Sequence, residues 1–266
     1  MFKKKKTDDN ETRQLKLETN RKRLLNDKTS FDVKESYKEL RTNIMFSVPG
    51  DKCKKLLITS SVASEGKSTT NVNLAVTMAE TGAKVILIDC DLRRPNIARL
   101  LGQNGDKGLS NVLINNCTIK SAIFNTKYPN LDVIFAGKIP PNPAELLSSD
   151  KMKELVDDLS QEYDYIFFDT PPINLVTDAA LISSLADGVV VVSRQHVTER
   201  RLLAQAVEKL NFVNAKIIGI VLNDVSVSKS GYGGYKKYGY GKSYGRKYSR
   251  HGYYEYSSST EVSNNE

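Results

Sequence analysis

Cysteine is scarce in this chain of 266 residues. Cys53, Cys90 and Cys117 are its only three, an odd number without a CxxC spacing. That argues against a disulfide framework or a zinc site and fits a reducing cytoplasm. Long apolar runs are missing too. No stretch approaches the ~18 consecutive apolar residues of a membrane helix, so no spanning segment is expected. The basic start, Met1 to Lys6, has no apolar region behind it and does not read as a secretory signal. No long internal repeat is visible. These absences make a cytoplasmic protein the expectation, and leave room for one that sits at a membrane through a partner.

The remaining composition is that of a folded protein, with 39% hydrophobic and 26% charged residues. Its net charge of +8 is unevenly spread. Residues 1–28 carry +5, residues 226–256 carry +6, residues 257–266 carry −2, and the stretch between, 29–225, is left at −1. A near-neutral body with basic ends suits an anionic partner, such as nucleic acid, phospholipid or phosphate, and equally suits ends that are simply solvated. Three segments follow: a basic, flexible segment over 1–28, a folded domain over 29–225, and a disordered tail over 226–266. The tail is mostly Gly, Ser, Tyr, Lys and Arg, a composition that cannot bury a core.

Within the body, continuous apolar runs mark strands buried on both faces. They are Leu56–Thr59, Val85–Ile88, Tyr165–Phe168, Val189–Val192 and Ile217–Leu222. Helical segments alternate with them: Lys67 to about Thr81, closed by Gly82, then Asp150–Gln161, Asp178–Leu185 and Thr198–Leu210. An earlier helix runs from Asp32 to about Phe46, with Asp32 and Glu35 set as a capping box and Pro49-Gly50 as its stop. Strands alternating with helices specify an α/β fold, with a mostly parallel central sheet covered by helices on both faces.

The chemistry begins between the first strand and its helix, in Ser60-Ser61-Val62-Ala63-Ser64-Glu65-Gly66-Lys67-Ser68-Thr69. Gly66-Lys67-Ser68 is the end of a P-loop, whose backbone N–H groups and helix amino terminus wrap a triphosphate. Ser64, Glu65, Gly66, Lys67, Ser68 and Thr69 are the candidate nucleotide-binding residues. Lys67 reaches the β- and γ-phosphates, and the Ser68 hydroxyl binds Mg²⁺. The strict pattern has Gly six residues before the Lys; here Ser61 stands there. Two strands end in acids: Ile86-Leu87-Ile88-Asp89-Cys90-Asp91 and Phe167-Phe168-Asp169. Ligands of open α/β sheets bind at such carboxyl edges. Three carboxylates beside a triphosphate call for a cation, and Mg²⁺ prefers oxygen ligands.

With these motifs the chain, over about residues 30–225 and the tail, resembles the bacterial tyrosine kinases of capsule and exopolysaccharide synthesis. The P-loop matches their Walker A motif. Ile86-Leu87-Ile88-Asp89-Cys90-Asp91 looks like Walker A′, and Ile166-Phe167-Phe168-Asp169-Thr170-Pro171-Pro172 like Walker B. Pro140-Pro141-Asn142-Pro143-Ala144-Glu145-Leu146-Leu147 is also similar to a family segment. The resemblance implies a P-loop NTPase fold using ATP and Mg²⁺. It implies Lys67, Asp89 and Asp91 as catalytic residues, with Asp91 receiving the tyrosine hydroxyl proton. Ser68, Asp89 and Asp169 would surround the metal, and Asn223 would touch the adenine. Arg93 and Arg94 would steady phosphates or an interface. No HRD or DFG motif is present, which sets eukaryotic-type kinases aside.

Nine of the 13 tyrosines lie in the tail: Tyr232, Tyr235, Tyr238, Tyr240, Tyr244, Tyr248, Tyr253, Tyr254 and Tyr256. They are the expected phosphoacceptors. Each phosphate adds about −1.5 to −2 charges, so full modification would reverse the tail's sign. Single-strand nucleic-acid stacking is the competing reading of such a tail, and nucleic acid is judged the unlikely partner. Glu35, Lys38 and Arg41 share one helical face and resemble the family's ring-forming motif, Glu-x-x-Arg-x-x-Arg, with Lys38 in place of the first Arg. A homo-oligomeric ring is therefore expected. The resemblance further implies a transmembrane activator of the polysaccharide co-polymerase type, which would hold the chain at the inner face of the cell membrane, and an opposing tyrosine phosphatase. The alternative function is a partition- or positioning-type switch ATPase without kinase activity. Such proteins carry a second Lys early in the P-loop, where this chain has Val62.

Overall fold

The computed structural model describes residues 23–50 and 52–225. The elements run α1 (Phe31–Ser47), β1 (Lys54–Ser60), α2 (Lys67–Ala79), β2 (Val85–Asp89), α3 (Ile97–Leu101), α4 (Leu109–Leu113), α5 (Ile119–Ala122), β3 (Ile123–Asn125), β4 (Leu131–Ile134), α6 (Pro143–Leu147), α7 (Asp150–Ser160), β5 (Tyr165–Asp169), α8 (Asp178–Ser183), β6 (Gly188–Arg194), α9 (Arg200–Phe212) and β7 (Ile217–Asn223). The strands form one seven-stranded sheet in the order β3-β4-β2-β5-β1-β6-β7. Every pairing is parallel except β3 with β4.

Alternation along the central strands splits the core into two layers. Ile86, Ile88, Ile166, Phe168, Val189 and Val191 point to the side covered by α4, α7, α8 and α9. Val85, Leu87, Tyr165, Phe167, Val190 and Val192 point to the side covered by α1, α2 and α3. Both faces of β2 and β5 are thus sealed, which is why Val85–Ile88 and Tyr165–Phe168 are continuous apolar runs rather than alternating ones. Leu56, Leu57, Ile58, Ile86 and Phe167 have no exposed surface at all.

Three expectations change. β7 reads as a fully buried strand, but it is the sheet edge beside β6, and Ile220 and Leu222 are more than half exposed. The capping box at Asp32 does not form: Ser30 is the N-cap, without a side-chain cap bond, and Asp32 lies inside the first turn. The folded body also begins before residue 29. Leu24 and Leu25 are buried, and the Leu25 amide donates to Asn73 Oδ1 on α2 at 2.9 Å.

The parallel arrangement brings the carboxyl ends of β2, β5, β1, β6 and β7 side by side. Asp89, Asp169, the loop after Ser60, Arg194 and Asn223 stand at those ends. One edge of the sheet therefore carries nearly every candidate site residue of the body.

Candidate active site

The loop from Ser61 to Gly66 turns back on itself through left-handed residues: Ser64 has φ 70° and Gly66 has φ 90°. Its interior is tied by Glu65, which is completely buried. The Ser61 hydroxyl donates to Glu65 Oε1 and Oε2 at 2.9 and 3.1 Å, and the Val62 amide donates to Oε2 at 2.7 Å. The Thr198 hydroxyl, from the turn after β6, also donates to Oε1. This explains the departure from the glycine pattern. Ser61 fits because its hydroxyl is absorbed into the loop's own network. Glu65 serves the loop through its side chain, which faces inward.

Two further residues brace the loop from the sheet edge. The Asn223 side-chain amide donates to the Glu65 carbonyl at 2.9 Å. Arg194 donates to the Ser64 carbonyl at 3.2 Å and grips Asp224 Oδ2 at 2.7 and 3.0 Å. Asn223, expected at the adenine, is therefore engaged with the phosphate loop. A Cβ on Gly66 would sit 2.1 Å from Asn223 Nδ2, so glycine is demanded there by the close approach as well as by φ.

Lys67 is the hub of the charges. Its ammonium lies 3.2 Å from Asp169 Oδ2 and 3.3 Å from Asp91 Oδ2, and donates to Ser68 Oγ at 3.3 Å. The Ser68 hydroxyl donates to the same Asp169 oxygen at 2.6 Å. Burial acts to lower the Lys67 pKa, but Asp169, Asp91 and Asp89 outweigh it and hold the ammonium charged. Burial raises the Asp169 carboxyl against the pull of Lys67 and Ser68. Asp89 is pushed up to about 7, first by burial and then by Asp169. Asp89 also accepts three backbone amides, from Asp91 at 3.2 Å, Asn96 at 3.2 Å and Ile97 at 3.1 Å. It thus braces the loop after β2, while Asp91, two residues on, is the carboxylate that meets Lys67.

Around this hub is a cleft of about 630 Å³, lined by Lys67, Ser68, Asp91, Arg94, Pro172 and Leu175 among others. Arg93 lines it too, with its guanidinium fixed on buried Asp178 by two bonds of 2.9 and 3.0 Å. Asp178, Arg194 and Thr198 were missed by sequence reasoning. Arg93, Ser64 and Glu65, which they meet, lie 85, 130 and 133 residues away, and no local pattern announces such bonds.

Glu35, Lys38 and Arg41 do not form a common free face. Lys38 pairs with Glu35 at 2.8 Å on the exposed side of α1, whereas Arg41 Nη1 donates to the Thr77 carbonyl in the last turn of α2 at 2.9 Å. The tail tyrosines, Tyr232 to Tyr256, lie outside the described residues.

The donor chemistry accommodates a hard cation. Ser68 Oγ and Asp169 Oδ2 converge at 2.6 Å beside the phosphate loop, two oxygens of the kind Mg²⁺ takes when phosphates and waters complete its shell. Among the described residues no group of three or more His, Cys, Asp or Glu side chains could hold a metal alone. Asp89, with both oxygens on backbone amides, fits such a shell only through water.

Comparison with known proteins agrees with this geometry. A family model described as an AAA domain matches residues 56–219. Tyrosine-protein kinase YwqD of Bacillus subtilis (strain 168) is 42% identical over 206 residues, which are 77% of this chain and 85% of that protein. Among solved structures, the chimerical protein CapA2B2 superposes with a TM-score of 0.68 at 37% identity, covering 71% of this chain and 83% of its own. The kinase domain of Escherichia coli tyrosine kinase ETK gives a TM-score of 0.68 at 29% identity, covering 74% and 79%. A phosphate loop, two flanking strand-end aspartates and relatives of this closeness lead to one conclusion: the chain belongs to the bacterial tyrosine kinases, and it is a protein-tyrosine kinase built on a P-loop domain.

Proposed function

We propose that this kinase transfers the γ-phosphoryl group of ATP to tyrosines of its own tail, and thereby regulates polymerisation and export of a capsular polysaccharide or exopolysaccharide. The observation that carries the reading is the state of the chain's own tyrosines. Of the four outside the tail, Tyr165 is buried, and the hydroxyls of Tyr37, Tyr128 and Tyr163 contact Asn73, Leu25 and Asp132. Burial and the Asp132 carboxylate push the Tyr163 hydroxyl well above its usual range, which opposes its use as a nucleophile. The nine tyrosines at 232–256 remain as acceptors.

The cleft supplies the parts such a transfer needs. The tyrosine oxygen attacks the γ-phosphorus as the bond to the β–γ bridging oxygen breaks and ADP departs; the phenolic proton passes to Asp91. Asp91 is suited to this because it is held from both sides, by Lys67 on Oδ2 at 3.3 Å and by the Arg94 amide on Oδ1 at 2.9 Å. Phosphoryl transfer has a loose transition state, so placement and charge balance contribute more than base strength. Lys67 would exchange a carboxylate for the phosphates. Mg²⁺ held by Ser68 and Asp169 would neutralise the phosphate oxygens.

The same reading assigns a transmembrane activator, a homo-oligomeric ring and a tyrosine phosphatase as partners, with the chain at the inner face of the membrane through its activator. The exposed Glu35–Lys38 pair is available to a neighbouring copy. The test is incubation of the purified chain with MgATP, alone and with the activator's cytoplasmic segment, and mapping of phosphate by mass spectrometry. Phosphate on residues 232–256, absent in Lys67→Met, is expected. Phosphate confined to other proteins, or none in the tail under either condition, refutes the assignment. Mixing an inactive full-length chain with an active chain lacking 226–266 then decides between neighbour and self: phosphate on the inactive chain's tail requires transfer between subunits.

A further inference from the structure

Six basic side chains line the cleft: Arg23, Lys67, Arg93, Arg94, Arg99 and Arg194. Lys67, Arg93 and Arg194 line it, but each is matched by a carboxylate: Asp91 and Asp169, Asp178, and Asp224. Arg23, Arg94 and Arg99 also line it and make no ion pair among the described residues, though Arg23 acts on Asp224 through space. Arg94 is exposed and uses only its backbone amide, on Asp91. Arg99 is exposed and donates to the neutral Asn96 Oδ1 at 2.9 and 2.5 Å. The same cleft is lined by apolar Pro172, Val176 and Leu175, the last 61% exposed. Two guanidinium groups without an ion pair, in one cleft with apolar side chains, match a group that is aromatic at one part and dianionic at another.

The tail supplies such a group once it has been modified. Its tyrosines follow one another at intervals of two to five residues from Tyr232 to Tyr253. In extended chain, at about 3.3 Å per residue, neighbours are roughly 7 to 17 Å apart. While one tyrosine occupies the acceptor position beside Asp91, another can lie within the length of a cleft this size. The unmodified segment 226–256 has a net charge of +6 and is repelled by Arg94 and Arg99. One phosphate adds about −1.5 to −2 charges and three strong acceptor oxygens.

We propose that Arg94 and Arg99 form a phosphotyrosine-binding subsite next to the acceptor position, so that a tail already carrying one phosphate is a better substrate than an unmodified tail. The inference rests on the tail being the substrate, and it adds the prior phosphate as a specificity element. Phosphorylation then proceeds in runs: chains that receive a first phosphate quickly receive more.

Two measurements test it on the full-length, dephosphorylated protein. The first is fluorescence anisotropy with a peptide of residues 235–244, with or without phosphate on Tyr238, while a non-hydrolysable ATP analogue and Mg²⁺ saturate the phosphate loop. The phosphopeptide should bind roughly tenfold more tightly, as expected for charge-assisted hydrogen bonds to one phosphate. The Arg94→Gln/Arg99→Gln protein should lose that gap and Arg94→Lys should keep part of it, all with unchanged melting temperature. Equal affinities, a gap that survives the double substitution, or a gap that vanishes when the analogue fills the phosphate loop would each overturn the subsite. The second is mass spectrometry of phosphates per chain early in the reaction. Wild type should show unmodified and multiply modified chains together, and the double variant a distribution centred on single additions; a single-addition distribution in wild type overturns the proposal. If no phosphate ever reaches the tail, the proposed function fails, and the peptide gap still decides the subsite. If the tail is phosphorylated but the peptides bind alike, only the subsite falls.

Discussion

Gly66→Ala is the sharpest perturbation of the phosphate loop, because two independent constraints meet at that residue. The backbone stands at φ 90°, ψ 14°, where a Cβ costs about 1–2 kcal/mol. The added carbon would lie 2.1 Å from Asn223 Nδ2 and 3.3 Å from its Cγ, so the amide must move and release the Glu65 carbonyl that it holds at 2.9 Å. Losing that bond costs about 1 kcal/mol more. The sum of about 2–3 kcal/mol corresponds to a fall in melting temperature of roughly 4–12 °C for a domain of this size. Affinity for ATP should fall with it, because the loop's conformation is no longer held before the phosphates arrive. The decisive assay is a double-mutant cycle with Asn223→Ala, read by calorimetry and by nucleotide titration. Removing the amide first abolishes both the clash and the bond, so Gly66→Ala should then cost only the backbone part, leaving about 1 kcal/mol of coupling. Strictly additive losses would refute the claim that Asn223 braces the loop.

Three further substitutions examine the charge cluster. Asp169→Asn should weaken MgATP binding far more than Asp91→Asn, since Asp169 shares its oxygen with Ser68 whereas Asp91 meets only Lys67 and the Arg94 amide; equal losses by calorimetric titration would make Asp91 a metal ligand. Lys67→Met leaves the buried Asp169 and Asp91 facing each other. Because burial already raises the folded-state pKa of Asp169, the folded form holds its proton more tightly than the unfolded form, and stability falls as pH rises through that raised pKa. The variant's deficit in melting temperature should therefore be larger at pH 8.5 than at pH 5.5, and an equal deficit at both would contradict the pairing. Arg93→Ala removes both bonds to buried Asp178 and should lower stability by about 2 kcal/mol, the exposed side of the guanidinium limiting the loss; a change under about 0.5 kcal/mol, measured by denaturant unfolding, would show that the pair holds nothing.

Strand-end chemistry was legible in the sequence because it is local. A run apolar at every position requires two covered faces, and an acid directly after such a run can only stand at the sheet's carboxyl edge. Asp89, Asp91 and Asp169 were found that way, as was the phosphate loop between β1 and α2. The division of labour between Asp89 and Asp91 was not legible. It depends on which carboxylate the turn after β2 folds over, and that turn has no signature beyond its amides. The region between β2 and α7 was also opaque, since α3 to α6 are four or five residues each and β3 has three, too short for either period to show. The apolar run of β7 was misread for the opposite reason. Its sequence matches a central strand, and only the strand order reveals that nothing lies beyond it among the described residues.

The position of β7 brings its carboxyl end against the phosphate loop. Asn223 and Asp224 are the residues that brace the phosphate loop, one through the Glu65 carbonyl and the other through Arg194 and the Ser64 carbonyl. The tyrosine-rich segment of the sequence, the acceptor under the proposed function, starts two residues later. Asp224 is therefore tied through Arg194 to the Ser64 carbonyl of the phosphate loop. Arg194 is the sensitive point in this chain. Its pairing with Asp224 is partly exposed and hence salt-dependent, whereas the Glu65 network beneath it is buried and is not. Salt should loosen the outer brace between Arg194 and Asp224 while leaving the loop's buried interior intact.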